Sequence, residues 1–147
     1  MYIFVILEDN INGDKMKKEY AEEVLNGIDM GIVGIEHVEE KIENKSLRRL
    51  VSKQKKEYEE LKKELLSHYP DINRKSNIMA GMMLEVKTIF ANDNDIVKML
   101  MQGCNMAIIS MTEIIHDLGI TDMKLRKLAN DLEDVSKRYE EKLKAYL

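Results

Sequence analysis

The chain has 147 residues, of which 44% are hydrophobic and 34% charged, so it can build one domain with a core and is not a disordered chain. Only 5% of the residues are aromatic and there is one proline, which argues against a compact β fold. The net charge of -4 argues against nucleic acid as the main partner. The single cysteine, Cys104, excludes an intramolecular disulfide and a multi-cysteine zinc site, and it predicts a reducing, cytoplasmic location.

Residues 1–15 are predicted to form an N-terminal extension ahead of the domain. Their apolar run, Tyr2–Leu7, is far shorter than the roughly 20 residues of a membrane span, and no basic residue precedes it as in a signal peptide. We therefore expect no membrane association. Because the helical pattern begins only near Met16, one hypothesis is that translation starts at Met16. The alternative is a short native extension that packs as a strand or stays mobile.

Apolar residues that recur at alternating steps of three and four predict helices over about residues 16–44, 46–69, 76–91, 95–118 and 122–146. Ser46 is the expected N-cap of the second helix, and Pro70 is expected to end it. The last helix is predicted to face the core with Leu125, Leu128, Leu132, Val135, Tyr139 and Leu143.

Four of these helices are long, and two tight connections, near Lys45 and Ile120, join them into two antiparallel hairpins. The long link between the hairpins, about residues 71–93, holds the short helix. Two hairpins joined by a long crossover are typical of ferritin-like bundles. The sequence therefore predicts an all-α, ferritin-like four-helix bundle in a single domain, residues 16–147.

The two hairpins also resemble each other. Gly27–Ile35 can be laid over Gly103–Met111, and Leu47–Leu50 over Leu125–Leu128. This match predicts an internal repeat, with chance similarity of helical sequences as the alternative. It aligns small residues on one face of each helix, namely Gly27, Gly31 and Gly34 with Gly103, Ala107 and Ser110. We expect them to permit close contact between the first and fourth helices; the alternative is a groove for a ligand or partner helix.

Ferritin-like folds often bind two metal ions through inward-facing Glu residues and Glu-x-x-His motifs. The chain has one such motif, Glu113-Ile-Ile-His116, and it lies opposite the core stripe of its helix. The second helix carries Glu60 and Glu64, with His68 one residue beyond the motif spacing. We therefore expect no catalytic residue and no bound cofactor. Glu113, His116, Glu60 and Glu64 are the remaining candidates for iron or manganese.

Three polar residues, Gln54, Tyr58 and His68, occupy positions that the pattern assigns to the core. They predict either a polar cavity or a place where the bundle opens to water.

Seven methionines fall between residues 79 and 111. Those of the crossover, Met79, Met82 and Met83, are expected to be partly exposed, and dimerisation through this element is a further hypothesis; filling of an irregular core is the alternative.

The repeated Gly-x-x-Met-x-Ile segments, the crossover sequence Met79-Ala-Gly-Met-Met83 and the ending Glu141–Leu147 resemble a group of small uncharacterised ferritin-like four-helix-bundle proteins of clostridia and related Firmicutes. The resemblance covers about residues 17–147 and implies a ferritin-like bundle with no active site to carry over.

The function expected is that of a non-enzymatic interaction or structural protein, a homodimer or one with a protein partner. The alternatives are a ferritin-like di-metal oxidoreductase or metal-binding protein, and a small-molecule binder with a cavity at Gln54, Tyr58 and His68 that also uses methionines.

Overall fold

The computed structural model describes residues 2–73, 92–118 and 122–147, with side chains from residue 17 onward. Within these ranges the chain is helical and contains no strand. The four helices are α1 (Tyr2–Val38), α2 (Lys45–His68), α3 (Asp93–Leu118) and α4 (Met123–Leu143). Short 3-10 turns, Glu39–Lys41 and Lys144–Tyr146, follow α1 and α4. The all-α prediction is therefore confirmed, while the predicted helix over 76–91 lies outside the described residues.

Helix α1 differs from its prediction at both ends. It begins at Tyr2 instead of near residue 16, and its α-helical part ends at Val38 instead of residue 44. The backbone of residues 2–16 is helical, so the alternative of a strand there is wrong. No proline interrupts this stretch, and a single Gly13 costs too little to end a helix.

The helix starts are fixed by capping side chains. Asn44, and not the predicted Ser46, caps α2: its Oδ1 accepts hydrogen bonds from the Ser46 and Leu47 backbone N–H groups. Asp122 caps α4 by accepting from the N–H of Leu125. Capping by Asn44 places Ser46 within the helix, where its hydroxyl instead contacts the hydroxyl of Tyr146 at 2.6 Å.

The core forms where the predicted stripes of the four helices meet. In α4 all six predicted positions are buried, and in α2 the buried residues recur with the same three- and four-residue steps from Leu47 to Leu65. Residues of α1 and α3 complete this single cluster. Ile28 and Ile35 of α1 are fully buried, as is Met111 of α3, and Cys104 of α3 is almost fully buried. The spacing of apolar residues thus identified the inner face of each described helix.

Two hydrogen-bonded connections show how the helices are directed. At one end of the bundle, the Asp93 carboxylate accepts from the backbone N–H groups of Glu43 and Asn44, both at 2.9 Å. At the other end, the Tyr69 hydroxyl donates to Asp122 at 2.9 Å. The start of α3 therefore lies beside the start of α2, and the two helices run in the same direction. Helix α1 packs against α2 and α3, and α4 packs against the same two helices.

Candidate functional site

A small polar cluster lies in the middle of the core. Gln54 is 2% exposed, and its Nε2 donates to the Tyr58 hydroxyl at 3.0 Å and to Cys104 Sγ at 3.4 Å. Ser136, on α4, is fully buried beside the Tyr58 hydroxyl. Its hydrogen bonds join α2 to α3 and offset part of the cost of burying polar groups, whereas the buried Ser136 hydroxyl and the Gln54 side-chain oxygen have no hydrogen-bond partner among the described residues.

The titratable members of this cluster are held in their neutral forms. Burial, reinforced by a long-range contribution from Glu140, outweighs the hydrogen bonds from Tyr58 and Gln54 and raises the pKa of the Cys104 thiol to about 11. Burial also raises the pKa of Tyr58. A thiol that is buried and protonated at neutral pH is a poor nucleophile. The cluster therefore has the properties of a packing element.

Of the three predicted cavity residues, only Gln54 and Tyr58 come together. Gln54 and Tyr58 are buried as expected, but His68 is exposed in the last turn of α2. The helix extends past the core at this point, so a position with core periodicity is left in solvent. The core assignment of His68 is therefore wrong, and His68 lies apart from the buried pair Gln54 and Tyr58.

Close packing explains two of the glycines in α1. A Cβ on Gly31 would lie 2.6 Å from a ring carbon of Tyr58, on α2. A Cβ on Gly27 would lie 3.2 Å from Leu132, on α4, and 3.6 Å from Met111, on α3. The nearest neighbour of a Cβ on Gly31 is thus an aromatic ring from α2, while α1 also contacts α3. Gly103 has no described atom within 4 Å of such a Cβ, so it does not share the environment of Gly27.

An ion pair with a buried carboxylate joins α1 to α2. Asp29 is 2% exposed, and its carboxylate accepts from Lys62 Nζ, on α2, at 2.7 Å. Asp29 is the one acidic residue in the buried class among those whose burial is described. Its counterpart in the predicted repeat, Asn105, is exposed.

An acidic groove runs along the surface between α2 and α4. It has a volume of about 420 Å³ and is lined by Glu57, Glu60, Leu61, Glu64, Asp131, Asp134, Val135 and Arg138. Arg138 pairs with Glu57 at 3.1 Å, and Lys127 reaches Asp131 at 2.8 Å and Glu64 at 3.7 Å. These cations neutralise part of the groove's negative charge.

Tyr139 lies under the inner edge of this groove. Partial burial opposes ionisation of Glu57, yet the Tyr139 hydroxyl and the Arg138 guanidinium outweigh it and lower the pKa of the carboxyl. Burial, followed by the neighbouring Glu57 carboxylate, raises the pKa of Tyr139. The arrangement stabilises an ionised Glu57, paired with Arg138, beside a neutral phenol, so the two are not a matched acid and base.

The candidate metal ligands point away from the interior. Glu113 and His116 are exposed on α3, whereas Glu60 and Glu64 line the groove between α2 and α4. In the part of the chain that the structure describes, no three His, Cys, Asp or Glu residues are close enough together to hold a metal ion. Among the buried side chains described, Asp29 alone carries a carboxylate, whereas a di-metal bundle needs several that project inward.

The outer face of α3 carries no charge over its middle turns. From Met99 to Thr112 the helix contains no charged residue. On its outward side Met106 is 56% and Ile109 is 51% exposed, with Gln102 and Asn105 exposed beside them. Of the methionines singled out from the sequence, Met99 and Met101 are partly buried and Met111 is fully buried. Met79, Met82 and Met83 lie outside the described residues.

None of the helices, over the residues described, has an apolar stretch sufficient to span a bilayer. Comparison with protein-family models, with curated proteins and with solved structures finds no match to this chain. The function is therefore inferred from the residues themselves.

Proposed function

We propose that the protein is a non-enzymatic, ferritin-like four-helix bundle that acts through its surface as an interaction or structural protein. The observation that carries this proposal is the outer face of α3, where Met106 and Ile109 are each more than half exposed within a stretch free of charge. Exposed apolar residues that are contiguous on one face are typical of contact surfaces.

The direction of the helices supports the ferritin-like topology. With α2 and α3 parallel, the chain leaves α2 at Tyr69, beside Asp122, and enters α3 at Asp93, beside Asn44. These points lie at opposite ends of α2, which is about 36 Å long at 1.5 Å per residue. A connection that spans the length of a bundle is the crossover of ferritin-like folds, and the resemblance to clostridial bundles of this class agrees with it.

The donor set does not fit the di-metal centre of that fold. A ferritin-like centre needs carboxylates that project inward from all four helices. Here Glu113 and His116 face outward on α3, Glu60 and Glu64 face a surface groove, and the buried Asp29 is neutralised by Lys62. No oxidoreductase step is therefore derived for these residues.

Metal content distinguishes this proposal from the di-metal alternative. Protein purified after growth with added iron and manganese is analysed by elemental mass spectrometry, alongside Glu60→Ala and Glu113→Ala. We expect substoichiometric metal that neither substitution changes. About two ions per chain, lost in either variant, would overturn the non-enzymatic assignment. Lys53→Ala, which changes an exposed residue of α2 outside both candidate pairs, controls for effects of mutation as such.

A further inference from the structure

The outward residues of α3 recur at the spacing expected for a stripe that packs against a second helix, and this stripe is called the seam. Starting at Asp95, the outward positions recur every three or four residues for six turns of helix. They are Asp95, Lys98, Gln102, Asn105, Ile109, Glu113 and His116, and Met106 is exposed next to Asn105 on the same side. A mean step of about 3.5 residues is the repeat that keeps one stripe of a helix in contact with a second helix. All are exposed except Asp95, which is half-buried.

The charged residues of this seam are placed symmetrically about its midpoint. The seam of one copy therefore complements that of a second copy that runs antiparallel to it. The midpoint lies between Asn105 and Met106, and Lys98 and Glu113 are equally distant from it. In an antiparallel pair of α3 helices centred there, Lys98 of each chain faces Glu113 of the other. Asp95 in the same way faces His116, at both ends of the seam.

The uncharged centre of the seam fits the same arrangement. Asn105 faces Met106, and Gln102 faces Ile109, so each exposed apolar side chain lies against an amide side chain and next to the apolar residue of the second copy. Shifting one helix by a heptad against the other places Asp95 opposite Ile109 or Asn105 opposite Glu113, and Lys98 then no longer faces Glu113. The complementarity is therefore specific to one register.

We infer that two copies of this chain associate through the outer faces of α3, antiparallel and about a twofold axis between Asn105 and Met106. This inference rests on the proposed function and names the partner of that surface as a second copy of the chain. The interface is isologous, so each favourable charge pair occurs twice. The exposed Met106 and Ile109 supply the apolar centre, and the charges at either end set the orientation.

A charge exchange on the full chain tests the inference. Lys98→Glu places two glutamates opposite each other at both ends of the interface, so the dissociation constant should rise about tenfold or more. Adding Glu113→Lys should restore it. Within one chain these two residues are about 22 Å apart along α3, so rescue of one by the other requires two chains. Sedimentation velocity gives the association state, and circular dichroism confirms that each variant is folded.

Two further variants keep the test specific. Ile109→Asp should also produce monomers, because it buries a charge at the centre of the seam. Lys53→Glu, the same charge change on the exposed side of α2, should leave the dimer intact. A monomeric wild-type chain at micromolar concentration would overturn the inference, as would a dimer that is indifferent to Lys98→Glu or a Lys98→Glu defect that Glu113→Lys does not repair. None of these outcomes affects the metal analysis, which tests the proposed function separately.

Discussion

Gly31 on α1 lies directly against the aromatic ring of Tyr58 on α2, with 2.6 Å between Tyr58 Cε2 and the place where a Cβ on residue 31 would stand. The ring has little freedom to move away, because Tyr58 is 3% exposed and its hydroxyl accepts a hydrogen bond from Gln54. Glycine at this point of α1 thus brings the two helices together at the polar cluster of the core.

Gly31→Ala should therefore destabilise the fold in spite of alanine's better helix propensity. The steric cost of overpacking is about 1–3 kcal/mol, against a gain of about 0.5–1 kcal/mol from replacing a glycine within a helix. We expect a net loss of about 1–2 kcal/mol in the free energy of unfolding, measured by urea denaturation.

Gly103→Ala is the matched control for that substitution. Gly103 also lies within a helix, but a Cβ there would meet no described atom within 4 Å. Only the propensity gain remains, so this variant should be more stable than the wild type by about 0.5–1 kcal/mol. Equal effects of the two substitutions would contradict the packing of Gly31 against Tyr58.

Lys62→Met should destabilise the protein because it leaves the buried Asp29 carboxylate without its lysine partner. Breaking a fully buried pair costs about 3–5 kcal/mol, and we expect about 1–3 kcal/mol here since the lysine side chain is 36% exposed. Thermal and urea unfolding measure the difference. Lys63→Met, which changes the exposed neighbour, is the control and should be close to neutral.

Removing both charges should recover stability in that pair. In Asp29→Asn with Lys62→Met, the neutral amide no longer requires a countercharge, so the double variant should be more stable than Lys62→Met alone. If the two substitutions instead add their separate costs, the 2.7 Å contact is not an energetically important pair.

The fold was predictable from the sequence where periodicity determines it. The inward stripe of α4 and that of α2 up to Leu65 were identified because a repeating apolar face has few ways to be buried. Periodicity does not indicate where the core ends, which is why His68 was assigned to the interior. Periodicity also does not show which of two possible residues caps a helix, since Asn44 and Ser46 are both good cap residues and lie two positions apart.

The site was less predictable because its contacts depend on long-range packing. Asp29 and Lys62 are far apart in sequence, and nothing in the pattern of either helix indicates that they meet. The contact of Gly31 with Tyr58 likewise depends on the rotation of two helices about their axes. The outward position of Glu113 and His116, by contrast, follows from helix phase alone and was predicted correctly.

Asp93→Ala should weaken the end of the bundle at which α2 and α3 begin. The substitution removes the acceptor for the backbone N–H groups of Glu43 and Asn44. Charge-assisted bonds of this kind are worth more than neutral ones, but solvent competes at this exposed site, so we expect a loss of about 1 kcal/mol in unfolding free energy. Hydrogen exchange should also accelerate at the amides of Glu43 and Asn44.

Asn94→Ala, the next residue along α3, is the control for Asp93→Ala. Asn94 is exposed and lies in the same first turn, so its loss should change neither global stability nor exchange at Glu43 and Asn44. Identical exchange rates in wild type and Asp93→Ala would show that the Asp93 carboxylate does not hold the loop in solution.

Stability should decline at alkaline pH because Cys104 is kept protonated in the folded protein. Its pKa rises from the ordinary 9.0 to about 11, chiefly through burial, so the unfolded chain loses the thiol proton first. The contribution is complete below about pH 9 and is lost as pH rises towards about 11. A shift of this size corresponds to about 2–3 kcal/mol.

Cys104→Ser removes this contribution, because serine does not titrate in this range. Burial, the main cause of the raised pKa of Tyr58, acts in both proteins, while the smaller effect of Cys104 on Tyr58 is lost with the thiol. Urea unfolding followed by circular dichroism from neutral pH upward should show a steeper decline for the wild type than for the variant. At neutral pH the variant is expected to be somewhat less stable, since a hydroxyl replaces a buried thiol. Parallel curves up to about pH 11 would mean that the Cys104 thiol titrates alike in the folded and unfolded chains.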